Sequence, residues 1–239
     1  MSLRLVDFFG WPGVVVKETT LCGEHEPLCP EEAAVVATSV EKRRREFKAG
    51  RSCARKALAE IGITDFPLLA SEDRTPIWPP SVVGSITHTD GCPDGYCAVA
   101  VANRGTASGL GLDAEPRLPL PTEVWSLVLD EEELRDAYRA ADPGVHARMV
   151  FSAKETTYKA LFPAFKRFLE FSDVHVELRP RQGIFFSELV ASARELGLSE
   201  KRLMGHMVID HEIIVTGMGL FPGGFPLASE EMSIHHIPR

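Results

Sequence analysis

The sequence predicts an α+β fold, because helices and strands occur in both halves of the chain without a strict β-α-β alternation. Some segments repeat apolar residues at helical spacing, while others alternate or are β-branched, and glycine or proline separates them. With 239 residues, 44% of them hydrophobic, the chain can bury the core of one large domain or of two smaller ones. The best candidate for a subdomain boundary is residues 103–111, where Asn-Arg-Gly precedes a glycine-rich strand.

The first half of the chain is predicted to contain two helices followed by three strands. Pro30 and the two glutamates after it open the first helix, since acidic side chains in the first turn favour the helix dipole. Residues 46–61 form the second helix, because their apolar positions share one face and Gly62 follows. Alternating or β-branched residues predict strands at 83–87, 96–102 and 108–115.

The second half is predicted to contain further helices and strands. Helices are expected at 122–140 and 146–162, separated by the helix-breaking sequence Asp-Pro-Gly at 142–144. Another helix is expected around 187–196, and the segment from Phe221 onwards is expected to be irregular. Strand patterns are found at 173–178, 203–208 and 212–217.

Composition excludes several classes of protein. No apolar run approaches the ~20 residues that span a bilayer, and the N-terminus does not form a secretory hydrophobic region. The five scattered cysteines suit a reducing compartment, so we expect a cytoplasmic protein without a membrane partner. The net charge of −8 argues against nonspecific binding of nucleic acid.

Two carboxylates lie on one face of the predicted strand at 108–115. Alternate residues of a strand face the same way, so Asp113 and Glu115 project together, and Gly111 is expected to leave open space beside them. Neighbouring carboxylates repel unless a cation lies between them, and oxygen ligands suit Mg²⁺. The alternative is a strand end that turns into solvent, which is the commoner origin of an isolated Asp-x-Glu pattern.

The predicted helix at 146–162 places a carboxylate within an aromatic stripe. At 100° per residue, one narrow face carries Phe151, Glu155, Tyr158 and Phe162, with Lys154 and Lys159 on its flanks. A carboxylate on an apolar face is costly unless it is paired or bound to a metal. A simple surface pair between Glu155 and Lys159 is the alternative, but it does not explain the three aromatic residues.

Positive charge is concentrated in residues 42–56, which contain eight of the 26 basic side chains. On a continuous helix, a stripe within roughly 60° is formed by Arg44, Lys48, Arg51 and Arg55. Such a stripe suits phosphate groups or an acidic partner, although most charge runs are solvated helix faces. By itself, His88 in the polar turn at 84–91 is more typical of a structural histidine.

Five ordered motifs together resemble a known family. They read RREFKAGRSCARKALAEIG, RTPIWP, VGSITH, GLDAEP and FSAKETTYKA, and they cover about residues 43–165. The sequence resembles the 4′-phosphopantetheinyl transferases of the surfactin and enterobactin synthetase type. It is most similar to the bacterial branch that serves polyketide and nonribosomal peptide pathways.

The resemblance implies a fold, a reaction and a partner. The fold would be a pseudo-twofold pair of α/β subdomains, 1–110 and 111–239, with coenzyme A between them. The enzyme would transfer the 4′-phosphopantetheine arm of coenzyme A to a serine of an apo acyl or peptidyl carrier protein and release 3′,5′-ADP. It would need Mg²⁺, with Mn²⁺ as a substitute, and it would act as a monomer. The placement of charge, rather than the resemblance, leads to the hypothesis that the carrier docks on Arg43–Arg45 or on the surface around residues 117–140.

The resemblance also implies a role for each matching residue. Asp113, Glu115 and Glu155 would bind Mg²⁺, Glu155 would act as general base, and Lys159 would stabilise the leaving nucleotide. Lys154 and Lys159 would lie near the pyrophosphate and the pantetheine arm. The residues that match nucleotide-binding positions are Arg51, Arg55, Arg74, Thr87 and His88. The chain departs from the pattern at residues 92–95, which lengthen a loop, and at Arg74, where the basic residue is displaced by one position.

Two other functions remain open from the residues alone. A Mg²⁺-dependent phosphohydrolase or nuclease could use the same carboxylates, but the net charge of −8 argues against nucleic acid as its substrate. A noncatalytic scaffold that binds coenzyme A or a nucleotide would need neither a general base nor both lysines. Those side chains therefore favour the enzyme.

Overall fold

The computed structural model describes residues 10–166, 169–190 and 202–222. The N-terminal part contains β1 (Val14–Thr19), α1 (Pro30–Val35), α2 (Glu41–Glu60), β2 (Val82–Thr89) and β3 (Tyr96–Asn103). The helices that follow are α3 (Trp125–Val128), α4 (Glu131–Arg139) and α5 (Pro143–Phe165). The strands of the C-terminal part are β4 (Gly109–Pro116), β5 (Val174–Arg179), β6 (Ile184–Leu189), β7 (Arg202–Ile209) and β8 (Ile213–Leu220). These elements confirm the α+β class.

Two antiparallel sheets form the framework. The first has the strand order β1-β3-β2 and packs against α2, and the second has the order β4-β8-β7-β6-β5 and packs against α5. Alternation along the strands builds both cores: Cys97, Val99 and Val101 of β3 face α2. The residues between them join a cluster with Leu110 and Leu112 of β4, so the two sheets share a buried core.

The second face of β4 packs tightly on α5. A Cβ atom added at Gly109 would collide with the carbonyl oxygen of Ala160, and one added at Gly111 would collide with that of Thr156. The open space expected beside Gly111 is therefore wrong, because the helix backbone fills it. This close approach brings the side chains of α5 directly over the carboxylates of β4.

Most predicted elements are confirmed, but the helix predicted at 122–140 is wrong as a single element. A short 3₁₀ turn, Thr122–Val124, leads into α3, and α4 starts separately after Asp130. The Asp130 side chain accepts hydrogen bonds from the amides of Glu132 and Glu133, which makes it the N-cap of a new helix. Helix α2 begins at Glu41, five residues before its predicted start.

The helix predicted around 187–196 is also wrong where the structure describes it. Residues up to Leu189 belong to β6, whose alternating burial shows that period two prevails over the helical pattern. Residues 191–196 lie outside the described residues, as does most of the segment after Phe221. Strand β1 was not predicted. Within the described part of the chain, no helix is both long and apolar enough to cross a bilayer.

Candidate active site

Asp113 lies at the centre of a polar cluster between β4 and α5. Its side chain is buried, and both carboxylate oxygens are hydrogen-bonded. Oδ1 accepts from Nζ of Lys159 at 2.7 Å, and Oδ2 accepts from the hydroxyl of Ser152 at 2.8 Å. Ser152 was not predicted as a site residue. The strand thus supplies a carboxylate that helix α5 holds from two positions.

Glu115 is the second carboxylate of β4 and pairs with Arg148 of α5. Its Oε2 accepts from Nη1 of Arg148 at 2.7 Å. Burial, together with the negative charge of Asp113, raises the pKa of Glu115 to about 7, although Arg148 acts in the opposite direction. Arg148 was also missed, but its spacing contained a signal. At helical period, one face of α5 carries Arg148, Ser152, Glu155 and Lys159.

Glu155 is a half-buried carboxylate that has no hydrogen bond or ion pair to another described residue. Burial raises its pKa; Lys159 opposes this rise, and the charge of Asp113 adds to it. Glu155, Asp113 and Lys159 are therefore close enough to interact. The aromatic stripe around Glu155 is present, with the rings of Tyr158 and Phe162 5.3 Å apart.

These three carboxylates fit a hard divalent cation by their chemistry. Asp113 raises the pKa of both Glu115 and Glu155, so each negative charge would be stabilised by a cation placed among them. They do not form the compact group with all ligand atoms within 4.8 Å of one another. Among the described residues, that group consists of Asp130, Glu133 and His175.

The compact group at Asp130 serves the structure of helix α4. The oxygens of Asp130 accept from two backbone amides and contact Nδ1 of His175 at 2.6 Å. Glu133 accepts from the amides of Val176 and Asp130 and from the ammonium of Lys154. Because four backbone amides and the ammonium of Lys154 donate to these two carboxylates, this group is a capping and ion-pair network.

Lys154 belongs to that network. Its side chain is 1% exposed, and its Nζ lies 2.7 Å from Oε2 of Glu133. Nζ also donates to the carbonyl oxygens of Val128 and Phe171. The structure therefore places Lys154 in the core of the C-terminal part, on a different side of α5 from Asp113. The next residue, Glu155, and Lys159 one turn later face the polar cluster around Asp113 instead.

Basic side chains gather at a second location, between α2 and the end of β2. The guanidinium of Arg51 lies 4.0 Å from the centre of the Phe47 ring, and that of Arg43 lies 5.9 Å from it. Burial lowers the pKa of Arg51 to about 10. Burial lowers the pKa of His88 as well; Arg43 and Lys159 add to this effect, and Glu46 opposes it. We refer to Arg43, Arg51 and His88 as the cationic corner.

Other predicted nucleotide-binding residues are placed differently. Arg55 bonds to Glu32 at 2.7 Å and to the carbonyl oxygen of Pro27, so its guanidinium anchors α1 and the segment before it to α2. Thr87 is buried and, next to His88 on a strand, projects to the opposite face. The predicted stripe along α2 is therefore divided among separate contacts, and both Arg43 and Arg55 lie close enough to Arg51 to lower its pKa.

A cleft of about 510 Å³ lies between the two parts of the chain and contains Arg74 and Lys159. From the N-terminal part, Trp78 and Ser85 line it, and from α5, Phe162 does so. Arg74 adopts a left-handed backbone conformation with φ of 64°. The cleft thus joins a basic loop of one part to the lysine that contacts Asp113 in the other.

Comparison with known proteins supports a common family for both parts. The family model described as "4′-phosphopantetheinyl transferase N-terminal domain" matches residues 31–102, and that described as "4′-phosphopantetheinyl transferase superfamily" matches residues 109–202. The chain is similar to 4′-phosphopantetheinyl transferase PptT of Mycobacterium tuberculosis, with 36% identity over 80% of this chain and 85% of the relative. It is also similar to 4′-phosphopantetheinyl transferase Svp of Streptomyces mobaraensis, with 40% identity over 71% of this chain and 69% of the relative. Enterobactin synthase component D of Salmonella typhimurium is 31% identical over 57% of this chain and 56% of the relative.

Proposed function

The chain belongs to the 4′-phosphopantetheinyl transferase superfamily and is a transferase of that kind, and from this premise we propose how its residues carry out the reaction. The phosphopantetheine arm of coenzyme A is transferred to a serine of an apo acyl or peptidyl carrier protein, and 3′,5′-ADP is released. One observation carries this proposal: Lys159 lies at the same time in the cleft between the two parts and on the carboxylate of Asp113.

The two parts of the chain act as subdomains on either side of coenzyme A. We place their boundary in residues 104–108, slightly before the expected division at 110, because β3 ends at Asn103 and β4 begins at Gly109. The N-terminal subdomain contributes the cationic corner and Arg74. The C-terminal subdomain contributes the carboxylates and Lys159.

Asp113, Glu115 and Glu155 would hold a divalent cation, which we take to be Mg²⁺ with Mn²⁺ as a substitute. When bound, such a cation neutralises charge on the pyrophosphate and makes its phosphorus more electrophilic. The support for this ligand set is the all-oxygen donor chemistry together with the mutual repulsion of the carboxylates.

Glu155 would accept the proton of the carrier serine as the serine oxygen attacks the β-phosphorus of coenzyme A. The raised pKa of Glu155 makes this carboxylate a better base than an exposed glutamate. The new bond joins the serine oxygen to phosphorus, and the bond to the oxygen of the departing 3′,5′-ADP breaks. Lys159 would donate a hydrogen bond to the phosphate that leaves.

The cationic corner would bind the 3′-phosphate of coenzyme A through His88, Arg51 and Arg43. Guanidinium groups form charge-assisted hydrogen bonds with phosphate, and the stacking on Phe47 holds them in place. Arg74 would contact the pyrophosphate from its own side of the cleft. We assign no substrate contact to Arg55 or Lys154, since their charged groups are already bonded within the protein. Thr87 would fix the position of His88, because its buried side chain anchors the neighbouring residue of β2.

The test is the intact mass of an apo carrier protein after incubation with the enzyme, coenzyme A and Mg²⁺. We expect a gain of one phosphopantetheine arm, which is lost with EDTA and with Glu155→Gln. Tight binding of coenzyme A without modification of several carriers would overturn the proposal and favour a noncatalytic binding protein. Release of 3′,5′-ADP without a modified carrier would indicate hydrolysis instead.

A further inference from the structure

Three hydroxyl groups form a buried chain that ends on Asp113. The chain starts at Thr156 and passes through Thr216 to Ser152, whose hydroxyl lies 2.8 Å from Oδ2 of Asp113. The Oγ atoms of Ser152 and Thr216 are 2.8 Å apart, and those of Thr216 and Thr156 are 2.7 Å apart. All three side chains are fully buried. We propose that this chain positions Asp113 for the divalent cation, with Ser152 as the first positioning residue.

The fold creates this chain from two neighbouring pairs. Asp113 of β4 and Thr216 of β8 are direct partners in the antiparallel register, so their side chains lie side by side on the face towards α5. Ser152 and Thr156 are one turn apart on α5 and project to the same side. The chain therefore connects both sheet strands of the site with the helix that carries Glu155 and Lys159.

The direction of the hydrogen bonds follows from the charge of Asp113. An ionised carboxylate only accepts, so the Ser152 proton points to Asp113 and the Ser152 oxygen is left to accept from Thr216. The hydroxyl of Thr216 then accepts from Thr156. The two threonine hydroxyls also have longer backbone alternatives: Thr216 lies 3.0 Å from the carbonyl oxygen of Ser152, and Thr156 lies 3.3 Å from that of Thr216. Aligned donors polarise one another and strengthen the bond to the carboxylate.

The chain decides which oxygen of Asp113 is available. Oδ2 is held from inside the protein, while Oδ1 contacts Lys159, whose side chain is 28% exposed. Asp113 would therefore offer a cation Oδ1, the oxygen that accepts from Lys159 in this structure. Groups behind a metal ligand orient it, and their removal typically weakens metal binding by about 10–100-fold. This inference rests on the proposed function, because it takes Asp113 as a cation ligand.

The experiment measures Mn²⁺ binding to the free enzyme by isothermal titration, without coenzyme A or carrier. We expect Ser152→Ala to raise the Kd for Mn²⁺ by about 10–100-fold. Thr216→Val should have a smaller effect, since Ser152 still reaches Asp113, and Thr156→Val should have the smallest. The rate of carrier modification, measured separately, should fall in the same order with the KM for coenzyme A unchanged.

Thr157→Val is the matched control. Thr157 follows Thr156 on the same helix and is equally buried, but its hydroxyl bonds to the carbonyl of Ala153 and to Ser187, away from Asp113. We expect this variant to lose thermal stability and to keep the Kd for Mn²⁺. Ser152→Cys, which retains a weak donor, should have an intermediate affinity and replaces Ser152→Ala if that variant does not fold.

The outcomes separate this inference from the proposed function. Wild-type affinity in Ser152→Ala, or an equal loss of affinity in Thr157→Val, would overturn the hydroxyl chain while leaving the transfer reaction intact. The proposal for the hydroxyl chain would also be overturned if the wild-type enzyme bound no Mn²⁺. Mn²⁺ binding that follows the expected order in a protein that modifies no carrier would support the chain and contradict the proposed function.

Discussion

Nζ of Lys159 lies 2.7 Å from Oδ1 of Asp113, so the lysine of helix α5 is paired with the central carboxylate of β4. Burial alone would lower the pKa of Lys159, but Asp113, Glu155 and Glu115 together raise it. The lysine is therefore held as an ammonium group. A cation that binds Asp113 would weaken this pair and leave the ammonium to the phosphate of the substrate.

Lys159→Met should lower kcat by about 10²–10³-fold, because a donor that stabilises the leaving phosphate is lost. The variant should still bind Mn²⁺, since the carboxylates remain. Steady-state kinetics with a carrier protein and Mn²⁺ titration check the two parts. Lys56→Met, which changes an exposed lysine of α2, is the control. An unchanged kcat in Lys159→Met would contradict the role given to this lysine.

Lys154→Met should destabilise the fold by about 3–5 kcal/mol, because it leaves the carboxylate of Glu133 buried without its ammonium partner. The KM for coenzyme A should be unchanged in the folded protein. Urea denaturation and kinetics at low temperature measure these quantities. Adding Glu133→Gln should recover part of the stability. A stable Lys154→Met with a raised KM would instead restore the nucleotide-binding role expected from the sequence.

Gly111→Ala should destabilise the protein by about 1–3 kcal/mol or more, because the new methyl group meets the carbonyl oxygen of Thr156. Helix α5 would have to move away from β4, so activity should fall as well. Thermal unfolding measures the loss. Gly105→Ala is the control, since an added Cβ there has no atom within 4 Å. Equal melting temperatures for the two variants would show that α5 does not pack closely on β4.

His175 should make stability depend on pH. Burial lowers its pKa, but the hydrogen bond to Asp130 and the charges of Asp130, Glu133 and Glu132 raise it above 6.5 in total. Protonated His175 therefore stabilises the fold fully below about pH 6.5, and this contribution disappears as the pH rises through the folded pKa. The ammonium of Lys154 faces Glu133 of the same network from helix α5.

The check is the difference in melting temperature between the wild type and His175→Gln across pH 5.5–8.5, a range chosen around the ordinary histidine pKa of about 6.5. We expect the wild-type advantage to shrink towards the alkaline end. His211→Gln, at an exposed histidine, should show no such trend. A constant difference at every pH would mean that the contact with Asp130 does not involve a charged histidine.

Arg43→Ala should raise the KM for coenzyme A by about 10–100-fold, with little change in kcat, because a charged hydrogen bond to phosphate is lost. The neighbouring Arg45 is exposed, so Arg45→Ala provides a matched control on the same helix. Kinetics with 3′-dephospho-coenzyme A test the contact itself. If Arg43 binds the 3′-phosphate, the variant and the wild type should differ little on this substrate.

Much of the fold and part of the site could be predicted because both depend on local period. Alternation along β4 directs Asp113 and Glu115 to one face, and the helical repeat directs Glu155 and Lys159 to one face of α5. The break before α4 could not be found in this way, because the capping of its amides by Asp130 competes with a helical pattern that continues through it. Strand β6 was missed for a related reason, since short apolar runs suit both periods.

The sequence by itself determined which side chains share a face, and the order of its motifs determined the family. Only the tertiary structure decided what each face meets. It turned Lys154 towards Glu133 and Arg55 towards Glu32, and it brought Ser152 and Thr216 together behind Asp113. Period fixes the direction of a side chain around its own helix or strand. Its partner lies on another element, 39 residues away for Ser152 and Asp113 and 64 residues away for Ser152 and Thr216, and is selected by the packing of the two elements.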